Sequence, residues 1–430
     1  MKEKLGNFIF VYLSIAPVFL WIAAKPLNLR FQNFSSTLSS FGQITGLIGM
    51  SMFALNFVLA TRSKFLEDYF GGMNKVYTSH RIFGSLSFIF ILFHPILLAL
   101  RYVPVSIEGA AYSLFPLGQP IWITSGFISL FALMLFLVLI FYSSLPYNVL
   151  KFTHKFIGLS FFFAGLHALF IPSDVSNFFP LKAYFIFLTI AGLSCFLYRS
   201  VLEKYLIKKY KYIVGDIVLV NNKTIEVSLV PALESMDHQS GQFVFVSFKS
   251  KDISSESHPF SISSGENDKN LRVSIKFLGD YTSKLINLRK GTPAEIEGPF
   301  GRFCCSDKNK NKVWIAGGIG ITPFLSMARS IENQNCNIDL VYIIKNENDG
   351  AHLEELREIS KNNSRFRILP YFSQIHGRIT ASFIRNVCPG FENREIYLCG
   401  PPQMMKSLKD QLLSLKIPSG NIFSEEFKML

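Results

Sequence analysis

Long apolar runs fill the first half of the chain, and short alternating ones fill the second. Residues 8–24, 41–60, 82–100, 121–142, 156–171 and 181–198 each read as a membrane span, because a bilayer core of about 30 Å takes about 20 helical residues. Lys2 and Lys4 precede the first run, but Pro17 interrupts it and no small-x-small cleavage site follows, so it reads as a span and not as a leader. From about residue 212 the period becomes two, as in 224–230, 243–248 and 272–277, which predicts the short strands of a small antiparallel barrel. Residues 297–301, Glu-Gly-Pro-Phe-Gly, are expected to close that barrel as a tight turn. Beyond it, the apolar segments 338–344 and 395–398 predict parallel strands of an α/β sheet. The expected architecture is a six-helix bundle over residues 1–205, a barrel domain over 206–308 and an α/β domain over 309–430.

Charge sharpens this division. Only 17% of the 430 residues are charged, against about 25% in ordinary soluble proteins. Residues 1–202 hold five acids and thirteen Lys/Arg, and the remainder holds 25 and 30. Basic residues gather after the second run (Arg62, Lys64, Lys75, Arg81), after the fourth (Lys151, Lys155) and after the sixth (Arg199, Lys204, Lys208, Lys209, Lys211). The opposite loops carry Lys25, Arg30, Arg101 and Lys182. The bias places both termini and the polar half in the cytoplasm. The net charge of +13 suits a membrane surface. No basic stripe is interleaved with stacking aromatics, so no nucleic-acid partner is expected. The six cysteines form no CxxC or CxxCH, which removes zinc ribbons, thioredoxin-like redox and covalent haem attachment.

Four histidines lie in or beside the apolar runs: His80, His94, His154 and His167. Ionisable groups at membrane depth are costly and point to function. His80 and His94 are 14 positions apart, and His154 and His167 are 13 apart, so each pair is separated by about 20 Å along a helix. Both runs start on the cytoplasmic side. Pairing first with first and second with second stacks two bis-imidazole sites across the bilayer, the ligand set of two non-covalently bound b-type haems. A spacing of 14 rotates the second side chain by only about 40°, but a spacing of 13 rotates it by about 140°. The fifth span therefore needs a local distortion, either a π-bulge or an off-axis His154 at the helix start, for which Gly158 and Gly165 offer room. Arg81 and Lys155 follow the inner histidines and can either pair with haem propionates or act as ordinary interface anchors. Phe88 and Phe161 sit midway along their spans, where either can shorten the electron path between haems, though plain lipid or core packing is the favoured role.

In the second half, His258-Pro259-Phe260-Ser261-Ile262-Ser263-Ser264 is a strand edge with a hydroxyl cluster. Residues 313–323, Val-Trp-Ile-Ala-Gly-Gly-Ile-Gly-Ile-Thr-Pro, read as strand, glycine loop and helix start. Glycines there let a pyrophosphate approach the backbone, and the helix start offers free N–H groups. Cys399-Gly400-Pro401-Pro402 follows the carboxyl end of a strand, where open α/β sheets bind ligands.

These features, in this order, resemble the NADPH oxidase and ferric reductase superfamily, and most of all its bacterial NADPH oxidases. The histidine spacing is similar to its six-helix haem domain, residues 258–264 to its FAD motif, and residues 316–324 and 398–402 to its NADPH elements, shared with ferredoxin-NADP reductases. The resemblance implies a ferredoxin-NADP reductase-like module after the haem domain. It places His258, Pro259, Phe260, Ser261, Ile262, Ser263 and Ser264 around a flavin, with Ser261 near the isoalloxazine N5. Lys276 and Thr282, beside Ile275 and Tyr281, would contact the FAD phosphates. Gly317, Gly318, Gly320, Ile321, Thr322 and Pro323 would seat the dinucleotide, with Gly400, Pro401 and Pro402 beside them. Cys399 would lie near the hydride path, and Phe427 would cover the flavin. Lys345 ends a strand where a ribose 2′-phosphate would lie and favours NADPH over NADH, with help from Arg378; Glu347 and Asp349 blur that signal.

The expected protein is thus an integral protein of a bacterial inner membrane that passes electrons from NADPH through FAD and two haems to an acceptor on the far side. Dioxygen, giving superoxide, is the first acceptor. A ferric chelate is the second and a quinone or partner protein the third; a haem-binding sensor with a vestigial reductase is the remaining alternative. No obligate protein partner is expected. Animal relatives tend to carry a further histidine one turn past the second ligand of the third span; here that position is Leu98. His238, His352 and His376 read as surface histidines, Cys304-Cys305 as a packing pair, and Glu354, Glu355, Arg357 and Glu358 as a solvated helix face.

Overall fold

The computed structural model describes residues 5–116, 118–142, 147–304, 310–333 and 335–425. The chain divides into two compact units, Met1–Ile207 and Lys208–Leu430.

The first unit is helical: α1 (Leu5–Ala24), α2 (Phe34–Leu59), α3 (Lys64–Phe70), α4 (Met73–Leu100), α5 (Ile107–Leu114), α6 (Ile121–Tyr142), α7 (Tyr147–Lys155), α8 (Ile157–Phe170), α9 (Asp174–Asn177), α10 (Phe179–Phe196) and α11 (Glu203–Leu206). A capping box starts α2, in which Asn33 Oδ1 accepts from Ser36 N at 2.9 Å. Among the described residues, five helices, α1, α2, α4, α6 and α10 with its π-helical extension to Val201, are long and apolar enough to span a membrane without interruption. The fifth expected span is two helices, α7 and α8, separated at Phe156.

Small residues let these helices approach closely. Ser87 Oγ on α4 donates to Gly49 O on α2 at 2.9 Å. Ser129 on α6 and Ser160 on α8 exchange hydroxyl-to-carbonyl bonds of 2.8 and 2.7 Å. The glycines of α8 serve α10: a Cβ on Gly158 would lie 2.3 Å from Phe196, and one on Gly165 would lie 2.7 Å from Thr189. Those glycines are thus spent on packing, and the chain is interrupted elsewhere, at Phe156. Phe161 is fully buried against Phe53 and Phe57, as a core residue would be.

The second unit contains two sheets. Strands β1 (Tyr210–Asn221), β2 (Thr224–Pro231), β3 (Phe243–Phe248), β4 (His258–Ser261), β5 (Leu271–Lys276) and β6 (Pro293–Phe300) form an antiparallel sheet ordered β4-β3-β6-β1-β2-β5. Residues 297–300 are the end of β6, paired with β3, and not the expected tight turn. Strands β7 (Lys312–Gly317), β8 (Ile338–Ile344), β9 (Phe366–Phe372), β10 (Glu395–Cys399) and β11 (Ile422–Glu425) are all parallel, in the order β11-β10-β7-β8-β9. Every residue of β7, β8 and β10 is buried, which explains why these strands read as mainly apolar runs, with Lys312, Asp339 and Glu395 as charged exceptions at their starts. Helices α12 (Asp280–Lys284), α13 (Thr322–Arg329), α14 (Leu353–Asn362), α15 (Ser373–His376), α16 (Ala381–Val387) and α17 (Pro402–Ser414) complete the unit.

Candidate functional site

The membrane-type unit brings its four histidines together in two pairs. The rings of His80 and His154 have centroids 6.5 Å apart with planes at 63°. Those of His94 and His167 are 6.2 Å apart at 72°. Two imidazoles on opposite sides of one iron have centroids about 6.2 Å apart, from a metal–nitrogen bond of about 2.0 Å and a ring centre about 1.1 Å behind the nitrogen. The break at Phe156 makes the second match possible, because His154 sits on α7 and His167 on α8, so a continuous-helix rotation between them does not apply.

Backbone carbonyls fix the rings. His94 Nδ1 donates to Gly42 O at 2.7 Å, His167 Nδ1 to Trp122 O at 2.7 Å, and His80 Nδ1 to Asn56 O at 3.2 Å. A proton held on Nδ1 leaves Nε2 as the metal-facing nitrogen. Two glycines the sequence did not single out cradle the rings: a Cβ on Gly46 or on Gly126 would lie 2.6 Å from Nδ1 of His94 or His167. Among the described residues no group of three or more His, Cys, Asp or Glu is placed to hold a metal ion.

A cavity of about 850 Å³ opens on His94 and His167. Its walls are mainly apolar, among them Met50, Ile91, Phe127, Leu130 and Ala164, and α5 contributes Tyr112 and Leu114. That volume falls in the range of cofactor sites, roughly 300–1,000 Å³. Leu98 also lines it and packs against Gly42. Of the two suggested inner cations, Lys155 Nζ donates to Ser200 O at 3.2 Å, and Arg81 is exposed.

In the second unit, β4 carries His258, Pro259, Phe260 and Ser261 along the edge of the antiparallel sheet. His258 stacks on Tyr281 at 3.8 Å and meets Glu256 Oε2 at 3.0 Å. Ile262 is buried and bridges to Val273. Ser263 and Ser264 are fully buried, with their polar groups engaged inside the unit: Ser263 Oγ donates to Glu226 at 2.6 Å, and Ser264 Oγ accepts from Arg272 N at 3.1 Å. Ile275 and Lys276 end β5, and Thr282 Oγ1 caps α12 by accepting from Leu278 N and Gly279 N.

The glycine loop lies between β7 and α13. Gly318 has φ +54°, a left-handed conformation that glycine adopts without strain, and faces Lys276 Nζ. Gly320 packs so tightly on the end of β10 that a Cβ would lie 2.4 Å from Cys399 O. Gly317 is similarly close to Pro401 and Met404, while Ile321, Thr322 and Pro323 are buried at the start of α13. Gly317, Gly320, Cys399, Gly400 and Pro401 thus meet at one point of the sheet, with Pro402 starting α17. Burial pushes the Cys399 thiol well above its usual pKa, so it stays protonated. Lys345 is exposed just past β8, and Arg378 is exposed between α15 and α16. Phe427 and Cys305 lie outside the described residues.

Two surface expectations are corrected. His352 has a side chain only 5% exposed, with Nε2 2.9 Å from Ser274 Oγ. Glu355, half-buried, is tied into a network around the buried Arg329 and is not simply part of a solvated face: Arg329 binds Glu355 at 2.6 Å, Glu226 at 2.7 Å and Ser263 O at 2.8 Å. Burial alone would raise the Glu355 pKa, but hydrogen bonds from His352 and Arg329 hold it down at about 2.

Comparison with known proteins identifies the classes of domain. Residues 45–166 match the family described as ferric reductase like transmembrane component, 210–318 an FAD-binding domain, and 314–410 an oxidoreductase NAD-binding domain. The ferredoxin reductase component of 3-ketosteroid-9-alpha-monooxygenase from Mycolicibacterium smegmatis is 28% identical over 46% of this chain and 58% of that protein. The glycine betaine monooxygenase reductase subunit of Pseudomonas aeruginosa is 29% identical over 29% of this chain and 38% of that protein. The chain therefore spans only part of the length of these relatives. A flavohemoglobin from Malassezia yamatoensis, solved with bound FAD and heme, superposes with a TM-score of 0.53 at 18% identity, covering 92% of this chain and 98% of its own; it shows likeness of fold. The chain thus carries a ferric reductase-like transmembrane region and the modules of an NAD(P)H- and FAD-dependent oxidoreductase.

Proposed function

We propose that this protein carries electrons across a membrane, from NADPH on the cytoplasmic side through FAD and two b-type haems to an acceptor on the opposite side, with dioxygen as the leading acceptor and superoxide as its product. The observation that carries the reading is the pair of imidazole pairs at the spacing of a six-coordinate iron, on helices that also match a ferric reductase-like region. The flavin, when bound, divides a hydride into single electrons, and the haems pass electrons singly.

The chain's own residues supply position and electrostatics. His80 and His154 would hold the inner group, and His94 and His167 the outer. Because two histidines would hold each haem, an acceptor would be met at the edge of the outer site rather than at the metal. His258, Pro259, Phe260, Ser261 and Ile262 would line the flavin, with Ser261 at its reactive edge and Lys276 and Thr282 toward its phosphates. The convergence of the glycine loop on Cys399 would bring the nicotinamide to that edge, and a neutral thiol there adds no competing charge. The boundaries 1–205, 206–308 and 309–430 are proposed on the same basis.

NADPH is favoured over NADH by the ion pairs around Lys345. Glu347 is bound by Arg357 at 2.6 Å and Asp349 by Lys223 at 3.1 Å. Both acids that would oppose a 2′-phosphate are thus neutralised, while Lys345 has no ion-pair partner among the described residues. A second reading, reduction of ferric chelates, is supported by Leu98, which fills the position of the additional histidine found in animal oxidases.

The deciding experiment supplies NADPH and FAD to the detergent-purified protein and follows cytochrome c reduction with and without superoxide dismutase, with a ferric chelate as competitor. Inhibition by the dismutase supports the oxidase. Dismutase-insensitive, rapid chelate reduction supports the metal reductase and overturns the oxidase. Reduction of neither until a quinone is added overturns both.

A further inference from the structure

We infer that Arg101 binds a carboxylate of the porphyrin held between His94 and His167, and thereby raises the reduction potential of that centre; the inference rests on the di-haem reading above. Arg101 continues the helical path of α4 at its C-cap, with φ −60° and ψ −24°. It follows His94 by seven positions, which on an α-helix is the same face about 10.5 Å further along the axis. A ring held by His94 and His167 would lie alongside α4, where a carboxylate on its edge would meet a group displaced along that helix.

The surroundings of the guanidinium show an unmet need. Arg101 lines the cavity beside the two histidines. Its Nη1 donates to Ser39 Oγ at 3.3 Å and its Nη2 to Tyr102 OH at 2.7 Å, while its Nε is buried without a partner. Both partners are neutral hydroxyls, so the charge is solvated but not balanced. The one acid among the cavity-lining residues, Asp174, is taken by Arg30 at 2.7 Å. Gln43, also in the wall, is engaged by Trp21 Nε1 at 2.7 Å. The lining thus carries one unneutralised guanidinium, with an N–H edge of the kind that binds carboxylates bidentately. Buried donors normally find a partner, and the seat between the histidines supplies one when a porphyrin carboxylate enters. A cation fixed there favours the reduced, more negative state of the centre.

The test uses the full-length protein in detergent, reconstituted either with haem b or with haem dimethyl ester, whose carboxylates are blocked. In the wild type, the ester is expected to leave the outer site about tenfold faster than haem b when challenged with apomyoglobin. In Arg101→Gln the two forms should leave at equal rates. With haem b, optical redox titration of Arg101→Gln should lower the reduced-to-oxidised ratio of the outer centre about tenfold at fixed poise, which is about 59 mV for a one-electron couple. Arg101→Lys should restore most of that loss, and the inner centre should not move. Equal retention of ester and free acid by the wild type overturns the inference without recourse to a variant. So does an unchanged outer potential in Arg101→Gln accompanied by a raised KM for ferric citrate, which would assign the guanidinium to the acceptor. A wild type that binds no haem overturns the di-haem reading itself, a result distinct from both.

Discussion

Gly126→Ala separates what the fold needs from what a ligated histidine needs. Gly126 lies on α6, and an alanine Cβ there would lie 2.6 Å from His167 Nδ1, 2.8 Å from Cγ and 2.9 Å from Cε1. Unstrained contacts begin near about 3.5 Å, so the ring must retreat by about 0.9 Å. It is tied to Trp122 O through a 2.7 Å hydrogen bond at Nδ1, and in the holoprotein it is tied to iron at Nε2. It cannot retreat without stretching one of the two. Overpacking of this kind costs about 1–3 kcal/mol, equivalent to haem binding about 5- to 150-fold weaker at that site. Helix propensity acts in the opposite direction, since Ala in place of Gly stabilises a helix by about 0.8–1.0 kcal/mol. The expected result is therefore split: faster haem loss to apomyoglobin from the outer site alone, with the inner haem as internal reference and no loss of helix content. Two haems retained at wild-type rates would refute the reasoning, because His167 would then be neither clamped nor ligated.

Other outcomes follow from the same geometry. His94→Ala should lose the outer haem and abolish far-side acceptor reduction while NADPH-driven dye reduction continues; a normal haem count would remove His94 as a ligand. Lys345→Glu should reduce the preference for NADPH over NADH by about 10- to 100-fold in kcat/KM, the scale of one charged hydrogen bond lost and a repulsion gained; unchanged kinetics would take Lys345 out of the site. Arg329→Met should destabilise the flavin unit at neutral pH by about 3–5 kcal/mol, because Glu226 and Glu355 lose their buried partner, as read by flavin release on heating. Glu355 has a folded pKa near 2, below its ordinary value of 4.5. Its share of stability is therefore present above about pH 4.5 and is lost as pH falls toward 2. The gap between wild type and Arg329→Met should narrow over that window, and a gap constant with pH would contradict the network.

Histidines stand out in apolar runs because nothing else polar competes there, so the four candidate ligands were legible along with the helices bearing them. The need for a distortion in the fifth span was legible from the 13-residue spacing, but its place at Phe156 was not, because α8 is mainly apolar while α7 carries Lys151 and Lys155 and reads as loop. An ideal-helix rotation thus looked like an obstacle that the folded chain does not meet. Gly46 and Gly126 went unread for a different reason. Each sits in an unremarkable apolar run, and its importance comes from a ring on another helix, which no local pattern encodes. His352 and Glu355 looked like surface residues because the groups that bury them lie on β2, β5 and α13, distant in sequence. The strands β7, β8 and β10 were clear because burial on both faces leaves a nearly continuous apolar signal past one charged residue at each start; β9 and β11, which are only partly buried, were not read.

The central claim is that each histidine pair takes an iron on its axis. The most direct measurement is a pyridine haemochrome assay of the purified full-length protein, joined to electron paramagnetic resonance of its oxidised form. Two haem b per chain are expected, both low-spin. Strongly anisotropic signals are also expected, because the imidazole planes stand at 63° and 72° to each other. A fully haem-supplemented preparation that holds one haem or none, or that shows high-spin iron with an open position, would contradict the account.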